Sequence, residues 1–329
     1  MSAEYVSFVG DSFSKNEDAV KVLLRIRPPF ANEENDINNF EIVSRQQLNV
    51  KVPESSWTYK NIKRHHIGSS FTFEFSNIFD WSATQHRLFT SLVDGIVLDF
   101  LSGKNGLLFT YGITNSGKTY TLIGTQNDPG ILPRTINYVF KCLKNYKIAT
   151  DANFRKYPYR GVVEVDPKEA SMSAESKCHL FERFDHTQNK DKAGDFDPVF
   201  SKGDMSFDFL SSKSDSDDEV NLGIDVMNIP LDFKTTLYIY MSIAEIYNEQ
   251  VFDLLDLSIE NENLRRIPLK IQGDHKSGFF VKNLTSVLVS SAEEAFKILK
   301  IGLSHRKTAE TMMNLNSSRR YFCDITSAT

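Results

Sequence analysis

The chain has little cysteine. Its three thiols, Cys142, Cys178 and Cys323, stand far apart among 329 residues. They form no C-x-x-C pair, which excludes a disulfide framework and fits a reducing compartment. Long apolar runs are missing too. No stretch approaches the ~18 consecutive apolar residues of a membrane-spanning helix. The first ten residues, MSAEYVSFVG, lack the basic segment and apolar run of a secretory signal. The seven histidines show no metal-ligand spacing, and His65 and His66, next to Lys63 and Arg64, read as part of a solvated loop. There is no overall basic excess, since the net charge is −5. The acidity is local, however. Residues 145–232 carry 18 of the 43 acidic residues but only 11 of the 38 basic ones. The rest is near neutral and leaves room for a basic face toward an acidic partner.

What the chain does have is Leu107–Thr121, LLFTYGITNSGKTYT. An apolar, strand-like run leads into Gly112, Ile113, Thr114, Asn115, Ser116, Gly117, Lys118 and Thr119. This is G-x-x-x-x-G-K-T, the phosphate-binding P-loop pattern. The spacing serves the chemistry. Two glycines let the backbone curl with its N–H groups inward, forming a concave anion site. Lys118 reaches the β- and γ-phosphates, and the Thr119 hydroxyl is a ligand for Mg²⁺. A helix expected from Lys118 adds the positive end of its dipole.

Around this stretch the hydrophobic pattern predicts alternating strands and helices. Residues 1–18 read as a disordered polar tail. Val20–Pro29 reads as a strand in which Val22, Leu24 and Ile26 share a face, ended by Pro28 and Pro29. Its Arg25 and Arg27 either stack on a planar ligand ring or are solvated at a sheet edge. Ser70–Phe79 predicts a strand with Phe71, Phe73 and Phe75 on one face. A helix is expected over 82–101, opened by a capping box at Ser82–Gln85, with Phe89, Leu92, Ile96 and Phe100 inward. A second helix runs from Pro133, burying Ile136, Phe140 and Leu143. Residues 145–232, including the SKSDSDDE tract at 212–219, show little periodicity and read as a largely solvated surface insertion. Order returns at Thr235. Leu237, Ile239, Met241 and Ile243 form a strand face, strand-like runs follow over 269–271 and 279–289, and a capped helix opens near Ser291 with Ala292, Phe296, Leu299 and Leu303 inward.

Several of these stretches together resemble one family, the kinesin motor domain. They are Arg25-Ile26-Arg27-Pro28, the P-loop with its lead-in Phe109-Thr110-Tyr111, and Gly130-Ile131-Leu132-Pro133-Arg134. Glu245-Ile246-Tyr247-Asn248-Glu249, Asp253-Leu254-Leu255 and Asn314-Leu315-Asn316-Ser317-Ser318-Arg319 complete the set. They follow the family's order. The P-loop wording and the long insertion resemble the mitotic kinesin-like subfamily. The resemblance implies an α/β fold: a P-loop NTPase with a central mixed sheet, helices on both faces, and incomplete at its C-terminal end. It implies a partial motor domain over 19–329, interrupted by the 145–232 insertion. The implied cofactors are ATP and Mg²⁺. The implied partners are microtubules, with no nucleic acid and no membrane, and with dimerisation in the full-length protein. The implied location is the cytoplasm and cytoskeleton, at the spindle midzone of dividing cells.

The resemblance also assigns roles. Gly112, Ile113, Thr114, Asn115, Ser116, Gly117, Lys118 and Thr119 would hold the triphosphate. Arg25, Arg27 and Pro28 would flank the adenine, beside Tyr120, where many kinesins carry His. Ser317 would approach the γ-phosphate, Ser318 would join Thr119 around Mg²⁺, Asn314 would position the attacking water, and Arg319 would belong to switch I. Where the family continues with Ser-His, Arg320 and Tyr321 stand, and no D-x-x-G segment follows within the 329 residues. This suggests a chain truncated before switch II that does not turn over ATP by itself. Three readings follow: the N-terminal part of a microtubule motor ATPase, a non-motor nucleotide-binding or interaction fragment, and an unrelated P-loop NTPase.

Overall fold

The computed structural model describes residues 3–10, 20–30, 38–54, 56–60, 70–125, 127–157, 161–190, 235–257, 266–274, 278–312 and 320–328. The chain divides into two compact units. The first comprises Met1–Asp99 and Lys104–Arg134, and the second Phe100–Gly103 and Thr135–Thr329.

The first unit contains strands β1 (Ala3–Gly10), β2 (Lys21–Ile26), β3 (Phe40–Ile42), β4 (Gln47–Lys51), β5 (Ser70–Glu74) and β6 (Asn77–Phe79). Most of helix α1 (Gln85–Leu101) follows, then β7 (Gly106–Gly112) and the short helix α2 (Lys118–Leu122). One sheet has the order β6-β2-β1-β7 and another the order β3-β4-β5. β1 lies antiparallel between its neighbours, with Glu4 opposite Arg25 on one side and Gly112 on the other. It lies in the stretch expected to be a disordered tail. The run Tyr5-Val6-Ser7-Phe8-Val9 carries the aromatic and β-branched residues that suit a pleated strand, and the polar residues after it obscured that signal.

β2 departs from the expected alternation: Leu23, Leu24, Arg25 and Ile26 are all buried. It has a strand on each side and both of its faces are covered, so a run of buried residues replaces a two-residue period. Leu24 and Ile26 join Leu48 and Ile78 in the core, and Phe40, Val50 and Phe75 pack against them. Phe71 and Phe73 are exposed. They lie on β5, the outer strand of its sheet, and only Phe75 just beyond it reaches the core. The cap of α1 also lies elsewhere than expected. The Thr84 hydroxyl accepts the Arg87 N–H at 3.2 Å, while Ser82 is bonded to Asp80. α1 buries Leu88, Phe89, Leu92, Val93 and Val97, so the inward stripe is centred one position away from the one expected. β7 ends its sheet, with Leu107, Phe109 and Tyr111 exposed on alternate positions.

Helix α3 (Ile131–Cys142) begins at the end of the first unit and continues into the second. The second unit then adds β8 (Lys147–Ile148), β9 (Phe154–Tyr157), β10 (Gly161–Glu164), helix α4 (Pro167–Lys190), β11 (Thr236–Tyr247), β12 (Gln250–Asp253), β13 (Ile271–Asp274), β14 (Gly278–Val281), β15 (Val287–Leu288), helix α5 (Ala292–Met312) and β16 (Arg320–Ala328). β11 is the spine. It pairs antiparallel with β12, β15 and β16 and parallel with β8. Its expected inward face is observed, with Leu237, Ile239, Met241 and Ile243 at most 2% exposed. α5 lies on that face so closely that a Cβ on Gly302 would stand 2.8 Å from Ile243 Cδ1. The Ser291 hydroxyl accepts the Glu294 N–H at 3.2 Å, as the capping pattern predicts.

The described part of the expected insertion forms regular elements. β9 and β10 form a hairpin, and α4 is a helix of 24 residues. Asp166 caps α4 by accepting the Lys168 N–H at 2.8 Å, and Pro167 occupies the first helical position, where its missing N–H costs nothing. α4 is tied to α5 by Lys177–Glu294 at 2.7 Å and Lys297–Asp185 at 2.6 Å. The Phe181 ring sits under both ammonium groups, at 5.7 and 4.7 Å from its centroid. The acidic tract at 212–219 lies outside the described residues.

Beside the hairpin, the buried Tyr240 hydroxyl donates to the Phe154 carbonyl at 2.8 Å. Burial pushes its pKa from the ordinary 10.0 to about 12. A raised folded-state pKa gives stability that is present below the unfolded value and lost as pH climbs through the folded one. Stability should therefore fall between about pH 10 and 12 more steeply in the parent than in Tyr240→Phe. At neutral pH Tyr240→Phe should cost about 1 kcal/mol for the lost hydrogen bond. Denaturant titrations at stepped pH measure both effects, and equal slopes in the two proteins would contradict the first.

Candidate nucleotide-binding site

β7 delivers the chain into the Gly112–Thr119 loop, and α2 carries it away. The loop takes backbone conformations open mainly to glycine and asparagine. Gly117 has φ 110° and Asn115 φ 65°. The Ser116 N–H donates to the Ile113 carbonyl at 3.2 Å, closing the turn. The Ser116 hydroxyl is buried and has no hydrogen-bond partner among the described residues. Lys118 folds back into the loop, donating to the carbonyls of Gly112 at 2.9 Å and Ile113 at 2.6 Å. An ammonium has three N–H donors, and the loop uses two of them, so the charge is fixed at the loop with a donor left for an anion. Thr119 is exposed. The helix expected after Lys118 is only five residues long. Attraction for an anion therefore comes mainly from Lys118, and only slightly from a helix dipole.

The two arginines of the R-x-R-P run part ways. Arg25 lies within β2 and is 7% exposed. Its guanidinium donates to Gln85 Oε1 at 2.9 Å and to Thr121 Oγ1 at 2.7 Å, and lies 5.2 Å from the centre of the Tyr120 ring. Arg27, past the strand end, donates to the Pro28 carbonyl at 2.9 Å and stacks 4.0 Å over the Phe30 ring. Both guanidinium groups thus lie over rings of the chain itself. Tyr120 donates its hydroxyl to Asp128 Oδ2 at 2.9 Å. Burial, and then the Asp128 carboxylate, raise the phenol pKa above 10.0, so it remains a donor at neutral pH.

Sequence reasoning missed Gln85, Thr121, Asp128 and Arg134. Arg134 donates to Asp128 Oδ1 at 3.1 Å and to the Pro129 carbonyl at 2.8 Å. No periodicity links residues 60 or 96 positions apart, as Arg25 is from Gln85 and from Thr121. The turn-rich stretch Gly124–Pro129 reads as a break after the P-loop helix, but its partners are not legible in it. Asn314, Ser317, Ser318 and Arg319 lie outside the described residues. Among the described residues no group of three or more His, Cys, Asp and Glu could hold a metal ion.

The kinesin motor domain model matches residues 25–323. The chain belongs to the kinesin motor domain family. It is 30% identical over 329 residues to the kinesin-like protein KIF20A of Bos taurus, covering 92% of this chain and 36% of that one. It is 28% identical over 311 residues to KIF20B of Homo sapiens, covering 93% and 16%. It is also 30% identical over 321 residues to the kinesin-like protein subito of Drosophila melanogaster, covering 94% and 44%. A solved structure of a kinesin 6 shares the fold with a TM-score of 0.56 at 19% identity, over 92% of this chain and 66% of that one. This kinesin-family chain thus spans less than half the length of the three sequence relatives. The expected mixed α/β kinesin fold is observed, and the domain belongs to a class that binds nucleotides.

Two glycines close the turn behind the loop. A Cβ on Gly130 would lie 2.6 Å from main-chain atoms of Leu122 and Thr121, and one on Gly124, at φ +79°, would lie 2.3 Å from the Asp128 carbonyl. Backbone cannot swing away as a side chain can. Gly130→Ala should therefore destabilise the protein by ~1–3 kcal/mol or more. A thermal melt unchanged from the parent would contradict this.

Proposed function

We propose that the Gly112–Thr119 loop holds the β- and γ-phosphates of ATP, and that the chain is the nucleotide-binding part of a microtubule-stimulated ATPase motor. One observation carries the reading: a Lys118 ammonium held by two carbonyls of its own loop, in a chain of the kinesin motor family. The residues fit the ligand. A fixed cation and the buried Ser116 hydroxyl suit phosphate oxygens, and the exposed Thr119 carries a hydroxyl, a hard oxygen donor suited to Mg²⁺. When bound, Mg²⁺ would neutralise charge on the transferring phosphoryl group. Thr119 and, by resemblance, Ser318 would hold it. Asn314 would orient the attacking water, and Ser317 and Arg319 would sense the γ-phosphate. Phosphoryl transfer depends on positioning and charge stabilisation, so these donors matter more than any single base.

Tyr120 would lie beside the base, with Arg25, Arg27 and Pro28 near it. The partner would be the microtubule, an acidic polymer, reached at the spindle midzone of dividing cells by a dimer. This reading draws on the mitotic-kinesin resemblance and on the similarity to the KIF20 proteins. No helix among the described residues is long and apolar enough to cross a membrane.

The test is a titration with fluorescent Mg·ATP, paired with ATP turnover with and without microtubules. Lys118→Ala should weaken nucleotide binding roughly tenfold to a hundredfold, since a hydrogen bond to a charged group is worth ~1.5–3 kcal/mol. Microtubule-stimulated turnover that disappears in Lys118→Ala and in Ser318→Ala supports the motor reading. Lys118-dependent binding without stimulated turnover supports the phosphate site alone and leaves the nucleotide-binding part of the reading standing. Equal affinity in the parent and Lys118→Ala would overturn it.

A further inference from the structure

Tyr120 is restrained at three points. Its main-chain carbonyl accepts the Gln85 side-chain amide N–H at 2.6 Å. The Arg25 guanidinium lies 5.2 Å from the centre of its ring. Its hydroxyl donates to Asp128 at 2.9 Å. Each restraint is itself anchored. Gln85 is 1% exposed and accepts from Arg25, and Arg25 also donates to Thr121, the residue after Tyr120. Asp128 is gripped by Arg134 through its other carboxylate oxygen, and its N–H donates to Thr125 Oγ1 at 3.2 Å. The turn is closed by the Thr125 N–H on the Asp128 carbonyl and by the Gly130 N–H on the Ile123 carbonyl. A flexible two-torsion side chain is thereby held in one orientation, yet Tyr120 keeps 41% of its surface exposed. Packing alone does not require a half-exposed aromatic residue to be fixed at its backbone, its ring and its hydroxyl.

We propose that Gln85 and Asp128 are positioning residues for nucleobase binding. They fix Tyr120 against Arg25 so that its exposed ring forms a flat platform for the base of a nucleotide whose phosphates sit in the Gly112–Thr119 loop. The inference rests on the phosphate-site reading above and extends it to two residues with no assigned role. Fixing the ring beforehand lowers the ordering cost of stacking a base on it. Asp128 makes the platform depend on the Gly124–Gly130 turn, so base affinity becomes sensitive to a segment that touches no phosphate. Asp128 acts through Tyr120 and Gln85 acts through Arg25 and the Tyr120 main chain, so the two should contribute to the base and not to the phosphates.

Two probes separate these contributions: a fluorescent adenine nucleotide with Mg²⁺, and inorganic tripolyphosphate with Mg²⁺, which has no base. Asp128→Ala, Gln85→Ala and Tyr120→Phe should each weaken the nucleotide about threefold to tenfold, as expected when an aromatic–base contact is loosened. Affinity for tripolyphosphate should stay within twofold of the parent. Asp128→Asn keeps an acceptor oxygen for the phenol and should recover most of the nucleotide affinity. The Tyr120→Phe/Asp128→Ala double variant should be no worse than the weaker single, because both break one hydrogen bond. Equal weakening of both probes would overturn the proposal, since the residues would then merely support the loop. No change with the nucleotide would also overturn it. If Asp128→Ala does not fold, Tyr120→Phe, which removes one oxygen at an exposed tip, decides alone by the same comparison. The two readings fail differently. Tripolyphosphate binding equally well to the parent and to Lys118→Ala removes the phosphate site itself, whereas Lys118-dependent tripolyphosphate binding with unaltered nucleotide affinity in all three variants removes only the base platform.

Discussion

A guanidinium buried inside a sheet organises the nucleotide-binding unit. Taking a charge out of water is costly unless its donors find acceptors. Arg25 meets that demand with Gln85 from α1 and Thr121 from α2, and those two bonds fix three separate pieces of chain in one geometry. The strand, the helix before β7 and the helix after the loop cannot drift without uncovering the charge. Tyr120 and the helix after the loop are therefore held by hydrogen bonds that touch no phosphate. The loop itself is shaped by the conformational freedom of Asn115 and Gly117.

The legibility of the sequence divides along the same line. The strand, loop and helix around Gly112–Thr119 could be read because their pattern is local: eight consecutive residues contain the glycines, the cation and the hydroxyl. β11 could be read because alternating Leu237, Ile239, Met241 and Ile243 is a local period. Arg25 and Arg27 could not be told apart, because the difference is set by strand pairing. Arg25 lies within a strand with neighbours on both sides, while Arg27 comes after its end and finds Phe30. The platform around Tyr120 joins residues from four separate stretches, and no spacing in the sequence connects them.

α4 teaches a different lesson. Its signals were present, with Asp166 as cap, Pro167 at the first position and Glu169 in the first turn. The surrounding acidic balance outweighed them in the reading, as average polarity hid the strand at Ala3–Gly10. Composition taken over a long window suggests solvation even when a short stretch specifies an element. α4 is held to α5 by ion pairs and by one aromatic ring under two ammonium groups, with few apolar contacts from its own sequence. A helix with Leu180 as its only deeply buried apolar side chain among the described residues depends on such polar contacts, and those weaken with salt.

The place of β1 bears on how the molecule is made. Its residues 4–10 register against residues 106–112, the strand that feeds the phosphate loop. A ribosome releases the first of these segments long before the second, and the interval includes β2 through α1. Closing that wide separation is slow compared with forming a helix. During synthesis, then, β1 has one side unmatched until β7 emerges and completes the sheet.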